Sequence, residues 1–201
     1  MQLSSKKYIN ATREVKIGNT TIGGKTGNTL LIAGPCSVES ESQIQESSAL
    51  LKELGLTTLR GGCYKPRTSP YSFQGLGLEG LKLLKKMNQE HGLTVITEVR
   101  DATHVQEVIE YSDVIQVGAK AMYDQGILRA CAKTQKPVLI KNGASNWSIM
   151  DKWSKEYLIN NAGNYMCAVI SDSRPAVANE HTSLKDYFEN HSGKSTLTLD
   201  R

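Results

Sequence analysis

The residues best suited to chemistry crowd into one stretch, Arg60 to Gly75, which reads Arg-Gly-Gly-Cys-Tyr-Lys-Pro-Arg-Thr-Ser-Pro-Tyr-Ser-Phe-Gln-Gly. Lys65, Arg67, Thr68 and Ser69 offer an ammonium, a planar guanidinium fork and two hydroxyls, a set that matches the oxygens of phosphate or carboxylate. Gly61 and Gly62 let the backbone approach a ligand closely or take positive φ. Pro66 and Pro70 stiffen what lies between by fixing φ. The chemistry this predicts is the holding of an anion. Composition alone leaves a second reading open, that of a solvated and slightly basic surface loop, since most cationic loop residues are simply exposed.

Further special residues stand where other apolar runs stop: Cys36 after 29–33, Glu98 within 93–99, Gly118 and Lys120 after 114–117, and Lys141 at the end of 137–141. Those runs are strand-length, and helix patterns separate them. Ser40 with Gln43 three residues on is a capping box, and it opens a helix with Ile44, Leu51 and Leu54 on one stripe, stopped by Gly55. Further stripes are Leu78, Leu81 and Leu84, ended by His91-Gly92; Val105, Val108 and Ile109 behind Asp101 as N-cap; Ile127, Leu128 and Cys131; and Ile149, Trp153 and Tyr157. Six strands alternating with five helices predict a parallel sheet. An open doubly wound sheet and a (β/α) barrel both fit the count. The barrel is preferred because it gathers all the strand ends at one mouth.

The expected fold is therefore α/β, a (β/α) TIM-type barrel of about six units, incomplete, behind a short β-hairpin centred on Gly18-Asn19. Residues 1–28 form the hairpin segment, 29–170 the barrel units and 171–201 a divergent tail with a helix around Ser183 to Asn190. A chain of 201 residues, 39% hydrophobic, can bury one sizeable core. Met1 to Asn10 lacks an apolar signal core and no run is long enough to span a bilayer, so a cytoplasmic protein without membrane contact is expected. The charge of +4 is spread out, which gives no support to nucleic-acid binding. Cys36, Cys63, Cys131 and Cys167 form no C-x-x-C pair and read as free thiols. Cys36 by itself reads as a small buried hydrophobe, and Cys63, Cys131 and Cys167 as structural residues. Glu98 reads equally as a site carboxylate or as an inward-facing residue paired with a nearby lysine. His91 and His104 read as surface residues.

The segments 33–40, Ala-Gly-Pro-Cys-Ser-Val-Glu-Ser, and 65–75, Lys-Pro-Arg-Thr-Ser-Pro-Tyr-Ser-Phe-Gln-Gly, resemble the 3-deoxy-D-arabino-heptulosonate 7-phosphate (DAHP) synthase family and, more distantly, the 3-deoxy-octulosonate 8-phosphate synthases. The likeness runs from about residue 13 to about residue 170, through Thr97-Glu98-Val99, Gln116 to Lys120 and Lys141-Asn142-Gly143. It implies condensation of phosphoenolpyruvate with erythrose 4-phosphate and water to DAHP and phosphate, in the shikimate route to aromatic amino acids, on a barrel that needs a divalent metal such as Mn²⁺. Position by position it implies Cys36 as a metal ligand, and Arg60, Lys65 and Lys141 as cations on phosphoenolpyruvate, Lys65 and Lys141 being the catalytic pair. Gly118 and Ala119 match the backbone lining that substrate, Lys120 stands for a family arginine, and Arg67, Thr68 and Ser69 match the loop for the sugar phosphate.

The resemblance also has gaps. The family completes its metal centre with a histidine, a glutamate and an aspartate on and after its last two strands, and no segment here corresponds to them. His181 and His191 sit in the tail without a supporting motif. The family's Lys-Arg-Gly is Lys141-Asn142-Gly143, and its Cys-Glu-Arg-Gly is replaced by Ser171-Asp172-Ser173-Arg174. Weak or lost activity is the expectation. The alternative is a non-catalytic relative that binds a phosphorylated ligand or associates with a synthase. Exposed sheet edges would favour a homo-oligomer or association with another barrel chain.

Overall fold

The computed structural model describes residues 14–65, 67–142 and 167–171, the last five and Asn142 by their backbone. The elements in chain order are β1 (Glu14–Ile17), β2 (Thr20–Gly23), α1 (Glu41–Glu53), β3 (Thr58–Arg60), α2 (Leu78–His91), β4 (Thr94–Val99), a 3₁₀ turn (Ala102–His104), α3 (Val105–Tyr111), β5 (Val114–Val117), α4 (Gln125–Ala132), β6 (Val138–Asn142) and β7 (Cys167–Ser171). The expected helix through Trp153, the tail helix, His181, His191 and Arg174 lie outside the described residues.

β3 to β7 form one parallel sheet in the order β3-β4-β5-β6-β7. Each strand pairs with the next in sequence, so no point of reversal occurs among the described strands, and the sheet is singly wound. A doubly wound sheet would carry such a reversal. The four described α-helices pack on one face, where Ile44, Leu51, Leu81, Leu84, Met87, Val108, Ile127 and Leu128 meet Leu59, Val95, Ile115, Val117 and Ile140. The opposite face carries Ile96, Val114 and Leu139, covered by Val15, Ile17 and Ile22 of the hairpin together with Leu30. The β1–β2 pair closes through Gly18-Asn19, with Gly18 at φ 57°. A Cβ on Gly18 would sit 2.2 Å from Thr94 Oγ1, so the turn abuts the start of β4. The hairpin thus fills the inner face at the N-terminal ends of the strands and leaves their C-terminal ends open.

Ser40 caps α1 as its spacing predicts: its Oγ accepts from Gln43 N at 3.2 Å, and Gln43 Oε1 accepts from Glu39 N at 2.9 Å. Three expectations need correction. The run 29–33 is not a ladder strand; only Ala33 bridges Leu59, with Ser37 bridging Gly62 further on. Pro35 has no N–H to donate, and Gly34 at φ 139° bends the chain away against Arg60. Leu54 and Leu78 are exposed rather than part of the stripes, because they stand at the helix termini beyond the reach of the sheet. His104 is not a free surface residue, as described below. No described helix is long and apolar enough to cross a membrane.

Candidate functional site

Side chains alternate across a strand. Glu98 therefore shares the inner face with Ile96, Gln116 with Val114, and Lys141 with Leu139, each at the C-terminal end of its strand. Arg60, which closes β3, reaches into the same space. Its Nε donates to Gln116 Oε1 at 3.3 Å, its NH1 to Cys36 O at 2.9 Å, and its NH2 to Glu98 Oε2 at 3.1 Å. Gln116 Nε2 donates to the same Glu98 oxygen. Of the two readings of Glu98, the geometry gives the paired one, with Arg60 rather than a lysine as the cation.

Lys65 is buried, 8% exposed, and its ammonium donates to the carbonyl oxygen of Cys36 and to Cys36 Sγ at 3.3 Å. Two cations from one chain segment thus converge on a single neutral carbonyl, with Glu98 as their one close carboxylate among the described residues. Buried charge is stable only when compensated, and here positive charge is in excess. Two glycines make the approach possible. A Cβ on Gly62 would lie 2.7 Å from Lys65 Nζ and 2.9 Å from Cys36 O, and one on Gly118 would lie 2.3 Å from Glu98 Oε1. Ala119 is half-buried, Lys120 exposed and Lys141 half-buried.

Beyond Lys65 the loop folds back on itself. Lys65 N donates to Gln74 O at 2.8 Å and Gly77 N to Cys63 O at 2.9 Å. Arg67 Nε donates to Phe73 O at 3.3 Å, and Ser69 Oγ accepts from Tyr71 N. Arg67 and Thr68 are exposed and Ser69 half-exposed, so this second cationic group lies on the surface beside the buried one.

Cys36 is exposed, not the buried hydrophobe of the isolated reading. The hydrogen bond from Lys65 lowers its thiol below the ordinary range, against the opposing effect of partial burial. Burial pushes Cys63 and Cys131 up to about 12. A depressed thiol pKa favours the folded state above the unfolded value of about 8.5, and that contribution fades as pH falls through the folded pKa. Because the thiolate is the nucleophile, iodoacetamide applied to the folded protein between the lowered pKa of Cys36 and the ordinary thiol value is expected to label Cys36 well ahead of Cys63 and Cys131, read by peptide mass. Lys65→Met should move the Cys36 labelling midpoint upward. Equal labelling of the three cysteines in the folded protein would contradict this geometry.

Among the described residues no group of three His, Cys, Asp or Glu side chains could hold a metal ion. Cys36 is the one matched ligand, and its sulfur already accepts from an ammonium. A catalytic divalent centre generally takes three protein ligands, so the described residues alone do not fit one.

A singly wound parallel sheet, helices on one face, and cations converging at the strand C-termini define the class: an α/β protein with a cluster of cations at the C-terminal ends of its described strands. The family model described as DAHP synthetase I family matches residues 9–193, and the chain belongs to that family. The match runs past residue 170, where the motifs read by eye fade. The chain is 41% identical over 163 residues to phospho-2-dehydro-3-deoxyheptonate aldolase of Thermotoga maritima, covering 81% of this chain and 47% of the relative. It is 37% identical over 142 residues to 2-dehydro-3-deoxyphosphooctonate aldolase of Fusobacterium nucleatum, covering 67% and 51%. The crystal structure of the Thermotoga maritima DAHP synthase superposes with a TM-score of 0.75 at 37% identity, covering 84% of this chain and 48% of that one. A truncated form of the Thermotoga maritima enzyme gives 0.70 at 32% identity, covering 85% and 62%. The chain spans about half the length of the curated relatives it matches.

Proposed function

We propose that this chain supplies the phosphoenolpyruvate-binding half of a DAHP synthase site, within a barrel that it does not close by itself. The observation that carries this reading is the convergence of Lys65 and Arg60 on Cys36 O, with Glu98 as the close counter-charge among the described residues. Lys65 has three N–H donors and Arg60 five; the contacts above use two of those of Lys65 and three of those of Arg60, and a longer contact from Arg60 NH1 to Pro35 O at 3.4 Å takes a fourth. One donor on each is left for an incoming anion. The half-buried Lys141 and the backbone of Gly118 and Ala119 complete the wall, with Lys120 at its rim. Arg67, Thr68 and Ser69 receive the phosphate of the second substrate.

The family reaction joins phosphoenolpyruvate to erythrose 4-phosphate, two multiply charged anions. Its chief electrostatic obstacle is their mutual repulsion, which a fixed ring of cations offsets without reorganisation. In this chain Lys65 and Lys141 hold and orient the enol phosphate, and the surface group at Arg67 seats the sugar phosphate beside it. A divalent ion, were one bound with Cys36 among its ligands, would supply Lewis-acid chemistry toward the aldehyde. Ligands beyond Cys36 for that ion have to come from another part of the polypeptide or from a second chain, and association with a second barrel chain follows from the same need.

The 201-residue chain alone is expected to bind phosphoenolpyruvate without turning it over. Phosphate release from phosphoenolpyruvate plus erythrose 4-phosphate in the presence of Mn²⁺ should stay at background. Robust turnover, abolished by Cys36→Ala, would show that the chain completes its own metal centre and would overturn this reading.

A further inference from the structure

The loop that carries the cations is anchored from outside the pocket. Lys65 points inward to Cys36, whereas its neighbour Tyr64 points the other way, onto the unit formed by the 3₁₀ turn and α3. The Tyr64 ring stacks on His104 with centroids 4.0 Å apart and planes 11° from parallel, and its hydroxyl donates to Glu107. His104 Nε2 lies 3.5 Å from Asp101 Oδ2, and Asp101 in turn caps the 3₁₀ turn by accepting from Thr103 N at 2.9 Å. Burial and the Glu107 carboxylate raise the Tyr64 phenol above its ordinary value, which keeps it a donor.

The same ring also holds the far end of the loop. A Cβ on Gly77 would be 3.3 Å from Tyr64 Cε1 and 3.7 Å from its Cζ and hydroxyl oxygen, so Gly77 lies beside the hydroxyl end of the ring. Gly77 N donates to Cys63 O, and Lys65 N donates to Gln74 O. Tyr64 therefore touches the two ends of the cationic loop at once and ties them to the segment following β4, the strand that brings Glu98 to the site. None of these contacts reaches the pocket itself.

We propose that Tyr64, clamped between His104 and Glu107, is a positioning residue that fixes the entry of the cationic loop and so the placement of the Lys65 ammonium. This deepens the phosphoenolpyruvate reading and rests on it for its effect on affinity. Loss of the clamp lets the backbone at residues 63 to 77 open locally, and Lys65 then spends binding energy on ordering the loop.

The test is hydrogen exchange together with calorimetry on the whole chain. Tyr64→Leu is expected to speed exchange of the Lys65 and Gly77 amides by about tenfold, the worth of an aromatic stack with a charge-assisted hydrogen bond, while Val95 and Ile115 in the sheet keep their protection. Phosphoenolpyruvate affinity should fall by about tenfold, and Tyr64→Phe, which retains the stack, should recover most of both. Unchanged protection at Lys65 and Gly77, or a loss that runs in step with Val95 and Ile115, would overturn the clamp. If the wild type gives no heat with phosphoenolpyruvate, the functional reading fails and the exchange data still judge the clamp. If Tyr64→Leu does not fold, His104→Ala, which removes the stack from the other side, takes its place, and unchanged exchange at Lys65 and Gly77 in it would overturn the clamp.

Discussion

Lys65→Met is expected to weaken phosphoenolpyruvate binding by roughly tenfold to a hundredfold, since a hydrogen bond to a charged group is worth about 1.5–3 kcal/mol. Methionine keeps the unbranched, buried stem and removes only the ammonium. The effect should be large because Lys65 is buried and its charge is poorly screened, unlike that of the exposed Arg67. The loss falls on affinity rather than stability, because the ammonium is held by a carbonyl and a thiol and not by a carboxylate. Calorimetric titration of both proteins checks this, and added salt should weaken the wild type more than the variant. Equal heats would remove Lys65 from the site.

Gly75→Ala is expected to cost about 2–5 kcal/mol of stability, combining a left-handed backbone at a residue with a Cβ and an enforced backbone shift. Gly75 has φ 94°, and a Cβ there would lie 1.9 Å from Cys63 O, a rigid backbone atom. Against a total stability of about 5–15 kcal/mol this is a large fraction. Gly55→Ala is the control: φ is 69° but nothing lies within 4 Å, so only the backbone penalty of about 1–2 kcal/mol applies. Urea midpoints with unchanged slopes measure both. A Gly75→Ala midpoint no lower than that of Gly55→Ala would show that the loop closes by a different path.

The sequence made visible what depends on local pattern. The Gly18-Asn19 turn, the Ser40 capping box, the stripes of α1 to α4 and the strands from β3 to β6 follow from short-range periodicity and cap chemistry. The gathering of Arg60, Glu98 and Gln116 was also accessible, because a parallel sheet brings its strand ends together whatever its closure. The weak pairing of 29–33 was hidden, since a continuous apolar run does not reveal that Gly34-Pro35 ends its ladder after one bridge. Leu54 and Leu78 fit a helical period yet fall beyond the sheet, and periodicity carries no information about where a neighbour stops. The stack of Tyr64 on His104 joins residues far apart in sequence with no shared motif, and the only signal was an aromatic residue next to the loop lysine. Glu98 could be placed on the inner face from alternation, but its choice of Arg60 over a lysine depends on the stagger of β3 against β4, where Arg60 sits opposite Ile96.

We propose that the grip on the anion resides in Arg60 and Lys65, whereas the described residues alone do not make a metal centre. The direct measurement is calorimetric titration of phosphoenolpyruvate into the 201-residue protein, once with chelator and once with Mn²⁺. The account predicts saturable, salt-sensitive binding with the same affinity in both. No binding in either, or binding that requires Mn²⁺, would contradict it.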